Sequence, residues 1–134
     1  CRELRRAHGL ITPPGSWFGF ADWDGIYPGP SALHDIHAGA SEPSAMLALD
    51  AARVDMSRAP NTVPNSANWA EQSRYIGLSG QPARPGWLIG DLSETGVCGD
   101  ATAATSEKGE ALLSSAAKGV AAFLSDFSKF EPMP

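Results

Sequence analysis

Cysteine, histidine and basic residues are all scarce in this sequence. It has two cysteines, three histidines and ten lysines and arginines among 134 residues. Each scarcity removes a class of function. Cys1 and Cys98 match no CxxC or Cys/His zinc spacing, and as reduced thiols they point to the cytoplasm. Basic residues this sparse, with Arg2, Arg5 and Arg6 as the one cluster and a net charge of −5, leave no footprint for nucleic acid. No apolar run approaches the roughly 18 residues of a membrane-spanning helix. The opening "CRELRRAHG" lacks the apolar core of a signal peptide. The histidines form no HExxH pair, and Walker, dinucleotide and G-x-S-x-G signatures are missing.

What is there is globular. Hydrophobic residues make up 43% and charged residues 19%, over a length that suits one domain. "CRELRRAHGL" reads as the end of a helix, with His8 in the last turn and Gly9 as its stop. The chain is therefore expected to begin inside a longer helix. "LIT", "WFGF" and "GWLIGD" are expected as short strands. Trp17, Phe18, Phe20, Trp23 and Tyr27 crowd a Pro/Gly-rich loop, and such aromatics need a core, a partner subunit or a substrate to pack on. "SEPSAMLALDAARV" predicts a helix with Ser41 as N-cap, Pro43 in the first turn and Met46, Leu47 and Leu49 on the apolar side. Residues 59–96 predict a long loop anchored by Trp69 and Trp87. The firmest helix runs from Ser106 to Phe127, with Leu112, Leu113, Ala116, Val120, Phe123, Leu124 and Phe127 in one stripe.

The chemistry concentrates in "LHDIHAGASEPSAML", residues 33–47. His34 and His37 lie three apart on a segment without helical amphipathicity. On an extended chain they point to opposite sides, which argues against one shared metal. Glu42, at the start of the following helix, can come within hydrogen-bond reach of His37. A carboxylate there fixes the imidazole tautomer and raises the basicity of the far nitrogen, as a general acid/base requires. Glu42 can equally be a favourable charge at a helix N-terminus, and a lone histidine is most often structural. Asp22, Asp24 and Asp35 read as turn formers or solvated charges.

Two segments together carry a further signal. "DIHAGASEPSAMLAL", followed by "GVCGDATAATSEKGEALL", resembles the creatininase (creatinine amidohydrolase) family. That family reads H-[AG]-G-x-x-E-T-S-x-M-L, then G-V-x-G-D-[PA]-x-x-A-[ST]-x-E-K-G before a long helix. His37, Gly39, Glu42, Ser44, Met46 and Leu47 match the first motif. Gly96, Val97, Gly99, Asp100, Glu107, Lys108 and Gly109 match the second. Pro43 stands where threonine is usual, and Ala40 where glutamate is common.

The resemblance implies an α/β, three-layer αβα fold, of which residues 1–134 supply the C-terminal half of a single domain. It implies hydrolysis of a C–N bond in a small cyclic or linear amide by metal-activated water. His37 would pass a proton to the leaving nitrogen, Glu42 would hold His37, and Trp17, Trp23 and Asp24 would close over the substrate. Two divalent ions, zinc or manganese, are expected. Their ligands lie in upstream E-x-H-G and N-G-H-G-G-N segments that do not occur here, so no metal ligand is assigned within the chain. The expected partner is a second chain carrying the N-terminal half, in a homo- or hetero-oligomer such as a hexamer. The alternatives are a non-catalytic assembly subunit and a hydrolase using Cys1 as N-terminal nucleophile. The resemblance makes Cys1 an ordinary helical position.

Overall fold

Why the predicted helices and turns form is visible in the computed structural model, which describes residues 1–132 apart from the side chains of Pro30 and Ser31. The helices are α1 (Arg2–His8), α2 (Trp23–Ile26), α3 (Ser41–Asp50), α4 (Ser66–Gln72), α5 (Ile89–Leu92) and α6 (Ser106–Phe127). Two strands, β1 (Asn61–Thr62) and β2 (Gly99–Asp100), pair antiparallel, with Asn61 opposite Asp100 and Thr62 opposite Gly99. Single 3-10 turns stand between them, among them Trp17–Phe20, Pro30–His34 and Ala101–Ala103. Among the described residues no helix is long and apolar enough to cross a membrane. The chain packs as two units, one of Cys1–Ala21 with the chain from Ser115 onward, the other of Asp22–Ser114.

In the first unit, α1 stops as expected. Gly9 takes the left-handed conformation (φ 68°) and its N–H donates to the Arg5 carbonyl. Phe20, Phe123, Phe127 and Phe130 form a chain of rings with successive centroids 5.3, 5.6 and 6.4 Å apart. Gly119 permits this, because a Cβ there would overlap the Phe20 carbonyl. Two expectations are corrected. "LIT" forms no strand, and "WFGF" is the 3-10 turn Trp17–Phe20. Prolines and glycines flank both, so neither segment gains a neighbouring strand to complete a ladder.

In the second unit, Leu92, Cys98 and Leu112 are almost wholly buried, with Ala45, Ala101 and Ala104 beside them in the core. Helix α6, shared between the second unit up to Ser114 and the first from Ser115, has the predicted bounds, and Leu112 and Ala116 lie on its buried stripe. Leu124, predicted on the same stripe, is exposed.

Helix α3 departs from expectation in three ways. Its N-cap is Ala40, not Ser41, and Ser41 is the first helical residue. It ends at Asp50, where a 3-10 turn takes over. Its buried face is Ser41, Ser44 and Ala45, whereas Met46 and Leu49 are exposed. The cause is the close approach of α6. A Cβ on Gly109 would overlap the Ser44 carbonyl and stand 2.9 Å from the Ala48 methyl, so only small residues fit between the helices.

Residues 59–96 are more ordered than predicted, since β1, α4 and α5 all fall there. "GWLIGD" is not a strand. The Leu88 N–H donates to the Asp91 carboxylate at 2.7 Å, which starts α5 instead. Trp69 is half-buried on α4, and Trp87 is more exposed, at 41%.

Candidate functional site

The loop from Asp35 to Glu42 is braced at both ends by carboxylates that accept from its own backbone. Asp35 Oδ2 accepts from the Ser41 N–H at 2.8 Å. Glu42 Oε2 accepts from the Ala38 N–H at 2.5 Å. Asp35 thus reaches the start of α3, and Glu42 reaches back to the middle of the loop. The Ser41 bond also satisfies one of the unpaired N–H groups at the start of α3, which the Ser41 hydroxyl was expected to do. Inside the brace, Ala38 adopts φ 53°, a left-handed conformation that a non-glycine residue rarely takes and that clusters at functional sites.

His37 sits in this loop with its side chain 57% exposed. Its Nδ1 lies 3.9 Å from Glu42 Oε2, whose side chain is 44% exposed. The structure brings the two predicted residues together at ion-pair distance, beyond a hydrogen bond. His34 ends the 3-10 turn Pro30–His34, not an extended segment, and its Nδ1 is buried without a hydrogen-bond partner.

The second motif holds the first in place. His37 and Cys98 form an antiparallel bridge: the Cys98 N–H donates to the His37 carbonyl at 2.7 Å, and the Cys98 carbonyl accepts from Ile36 at 3.0 Å and His37 at 3.4 Å. Gly99, at φ 132°, lies so close that a Cβ would stand 2.9 Å from Gly39 Cα and 3.1 Å from Asp35 Cα. On Gly39 a Cβ would overlap the Asp35 carboxylate. Ser44, fully buried, donates to the Ala40 carbonyl at 2.6 Å and accepts from the Thr105 N–H at 3.1 Å. Lys108 donates to the Ala103 carbonyl at 2.7 Å and lies over the Tyr27 ring at 5.7 Å. Gly39, Gly99, Gly109 and Ser44 are therefore residues of close contact, and the His37–Cys98 bridge joins the two motifs.

Burial governs the electrostatics. It pushes the Asp35 carboxyl above its ordinary range, opposed by the Ser41 bonds and aided by the charge of Glu42. Burial likewise raises the Cys98 thiol and the Tyr27 phenol. A cavity of about 350 Å³ opens beside Asp35, bordered by Tyr27, Ala40, Asp100 and Lys108.

The other predicted residues are spread more widely. Trp17 belongs to the first unit and stacks on Phe18 at 3.9 Å, while Trp23 and Asp24 form the first turn of α2 in the second unit. Asp22 is the turn former expected of it, accepting from the Gly25 N–H at 3.1 Å. Both cysteines are free thiols, Cys1 exposed and Cys98 buried. Sequence reasoning missed Asp35 as a brace and Cys98 as the backbone partner of His37. No sequence signal marked Asp35, because Ser41 read as an N-cap that supplied its own oxygen, and the Ala40 cap is visible only in the structure.

The profile of the creatininase family, creatinine amidohydrolase, matches residues 1–124. This chain belongs to the creatininase family. Three solved structures resemble it. "Creatininase Mn" superposes with a TM-score of 0.63 at 27% identity, over 98% of this chain and 48% of that one. A glutamate-to-glutamine mutant creatininase complexed with creatine gives 0.62 at 27%, over 98% and 49%. A tryptophan-to-phenylalanine mutant creatininase, Type II, gives 0.62 at 25%, over 98% and 48%. No curated protein matches the sequence. The chain has the α/β creatininase fold and spans about half the length of these structures.

Proposed function

We propose that this creatininase-family chain carries the proton-transfer pair of an amidohydrolase acting on a C–N bond of a small cyclic or linear amide. One observation carries the proposal. His37 and Glu42 stand 3.9 Å apart at the bridge where the two family motifs meet. An amide nitrogen leaves poorly until it is protonated, so hydrolysis needs an acid beside it. His37 is exposed enough to meet a substrate. Closing its gap to Glu42 by about 1 Å makes an N–H···O bond that keeps the proton on Nδ1 and leaves Nε2 to carry another. Glu42 is already oriented by the Ala38 N–H. Trp17, Trp23 and Asp24 are proposed as substrate contacts on the family resemblance.

The family uses metal, and one neighbour is named "Creatininase Mn". The donors of this chain do not fit a metal centre, since among the described residues no three His, Cys, Asp or Glu side chains converge. We place the ligands for two divalent ions, zinc or manganese, in an N-terminal half, with residues 1–134 as the C-terminal half of one domain. A partner chain supplying that half, a hexamer-like assembly and a cytoplasmic setting belong to the same proposal.

The test is to assemble the chain with a polypeptide bearing the E-x-H-G and N-G-H-G-G-N segments, count metal, and assay cyclic and linear amides, creatinine included. Hydrolysis with about two ions per assembled domain is expected. A metal-free assembly that cleaves no amide overturns the proposal.

A second reading, an assembly subunit without catalysis, is favoured by the apolar side chains exposed within residues 59–96: Val63, Tyr75, Ile76, Trp87 and Leu88. Assembly that depends on these residues, with no hydrolysis, would select it.

A further inference from the structure

We infer that Asp35 is a positioning residue for the His37–Glu42 pair: its carboxylate fixes the loop so that the Ala38 N–H stays turned to Glu42. The inference rests on the proposed role of that pair and deepens it.

Three observations converge. Asp35 Oδ2 holds the Ser41 N–H at 2.8 Å, which pins the start of α3, and Glu42 is the next residue on that helix. Asp35 Oδ1 is buried, without a hydrogen-bond partner, and occupies the space in which a side chain on residue 39 would stand. The same carboxylate therefore pins the helix start and fills the face of Gly39. The loop is fixed from the other side by the Cys98 carbonyl, which accepts from Ile36 and His37. Between these two clamps Ala38 is held at φ 53°, and that backbone accompanies the Ala38 N–H bond to Glu42.

A carboxylate with one oxygen unpaired in a buried place is costly to keep. Helix capping alone does not explain it, because Oδ2 by itself serves the Ser41 N–H and leaves Oδ1 buried and unpaired against Gly39. Holding a left-handed residue and its N–H toward Glu42 does explain it. Asparagine at position 35 keeps an acceptor for Ser41 and the same shape; alanine keeps neither, and serine keeps only a single oxygen one bond nearer the backbone.

The test is amide NMR of the full chain, with the Ala38 N–H resonance as reporter of its bond to Glu42. Glu42→Gln is expected to move that resonance. Asp35→Ala and Asp35→Ser are expected to move it in the same direction by a comparable amount, with roughly tenfold or greater loss of Ser41 exchange protection. Asp35→Asn is expected to leave it near its wild-type position. If Glu42→Gln moves the Ala38 resonance and Asp35→Ala does not, the positioning role is wrong and the pair stands. If Glu42→Gln leaves it unmoved, the pair is not built as described and both fall. Unfolding of all three Asp35 variants, by far-UV circular dichroism, would make Asp35 a general stability residue and overturn the inference.

Discussion

His37 and Cys98 face each other across an antiparallel bridge, with the Cys98 N–H donating to the His37 carbonyl at 2.7 Å. The bridge fixes the backbone that carries His37 and leaves its side chain free. It also explains why two motifs some fifty residues apart depend on each other: one supplies the imidazole, the other the backbone bonds that hold the residue carrying it.

That dependence predicts a large effect at Gly99. Its φ of 132° disfavours any side chain, and a Cβ there would press on Gly39 Cα, Asp35 Cα and the His34 carbonyl, all backbone atoms. Gly99→Ala should lower stability by about 2 kcal/mol or more, from strain and overpacking together. Urea unfolding checks this, and an unchanged midpoint would refute the close approach.

Gly109 makes a sharper case, because the sign is reversed. Glycine inside a helix ordinarily costs about 1 kcal/mol relative to alanine. Here the added methyl would overlap the Ser44 carbonyl. Gly109→Ala should therefore destabilise the chain. Gly90→Ala on α5, where a Cβ meets nothing within 4 Å, should be neutral or stabilising. The two thermal midpoints, measured side by side, must move in different directions from this helix rule.

Ser44 joins the two motifs by hydrogen bonds to Ala40 and Thr105. Ser44→Ala removes the acceptor for the Thr105 N–H at the start of α6. The expected cost is about 1–3 kcal/mol, the penalty for leaving buried polar groups unmatched. Faster exchange of the Thr105 amide should accompany it, and protection equal to wild type would show that this bond is not made.

Asp35 gives the molecule a pH signature. Burial, foremost, raises its carboxyl above the ordinary 3.8, so the folded chain favours the neutral acid. The stability contributed by that preference is present below 3.8 and is lost as pH rises through the raised value. Asp35→Asn does not ionise and escapes the loss. The variant should gain stability relative to wild type across that window and hold the gain at neutral pH. A difference that stays constant from about pH 3 to pH 7 would contradict the burial of Asp35.

Much of this was legible in the sequence where local chemistry decides the outcome. The 22 residues of α6 and the Gly9 stop follow from periodicity and capping. The apolar face of α3 was not legible, because Gly109 on a distant helix dictates small residues there and overrides Met46 and Leu49. "WFGF" and "GWLIGD" have strand-like composition, but a strand exists only with a partner ladder, which no local pattern encodes. At the site, the types and spacing of His37 and Glu42 were readable. The brace from Asp35 was not, because its burial comes from the fold around it.

The central proposal is that His37 moves a proton in amide hydrolysis. The most direct test is His37→Ala in the assembled enzyme, with kcat and metal content measured together. The expected result is a loss of about 10²–10⁴-fold in kcat with metal content unchanged, the usual worth of a positioned acid/base. Wild-type turnover by the metal-loaded variant would contradict it.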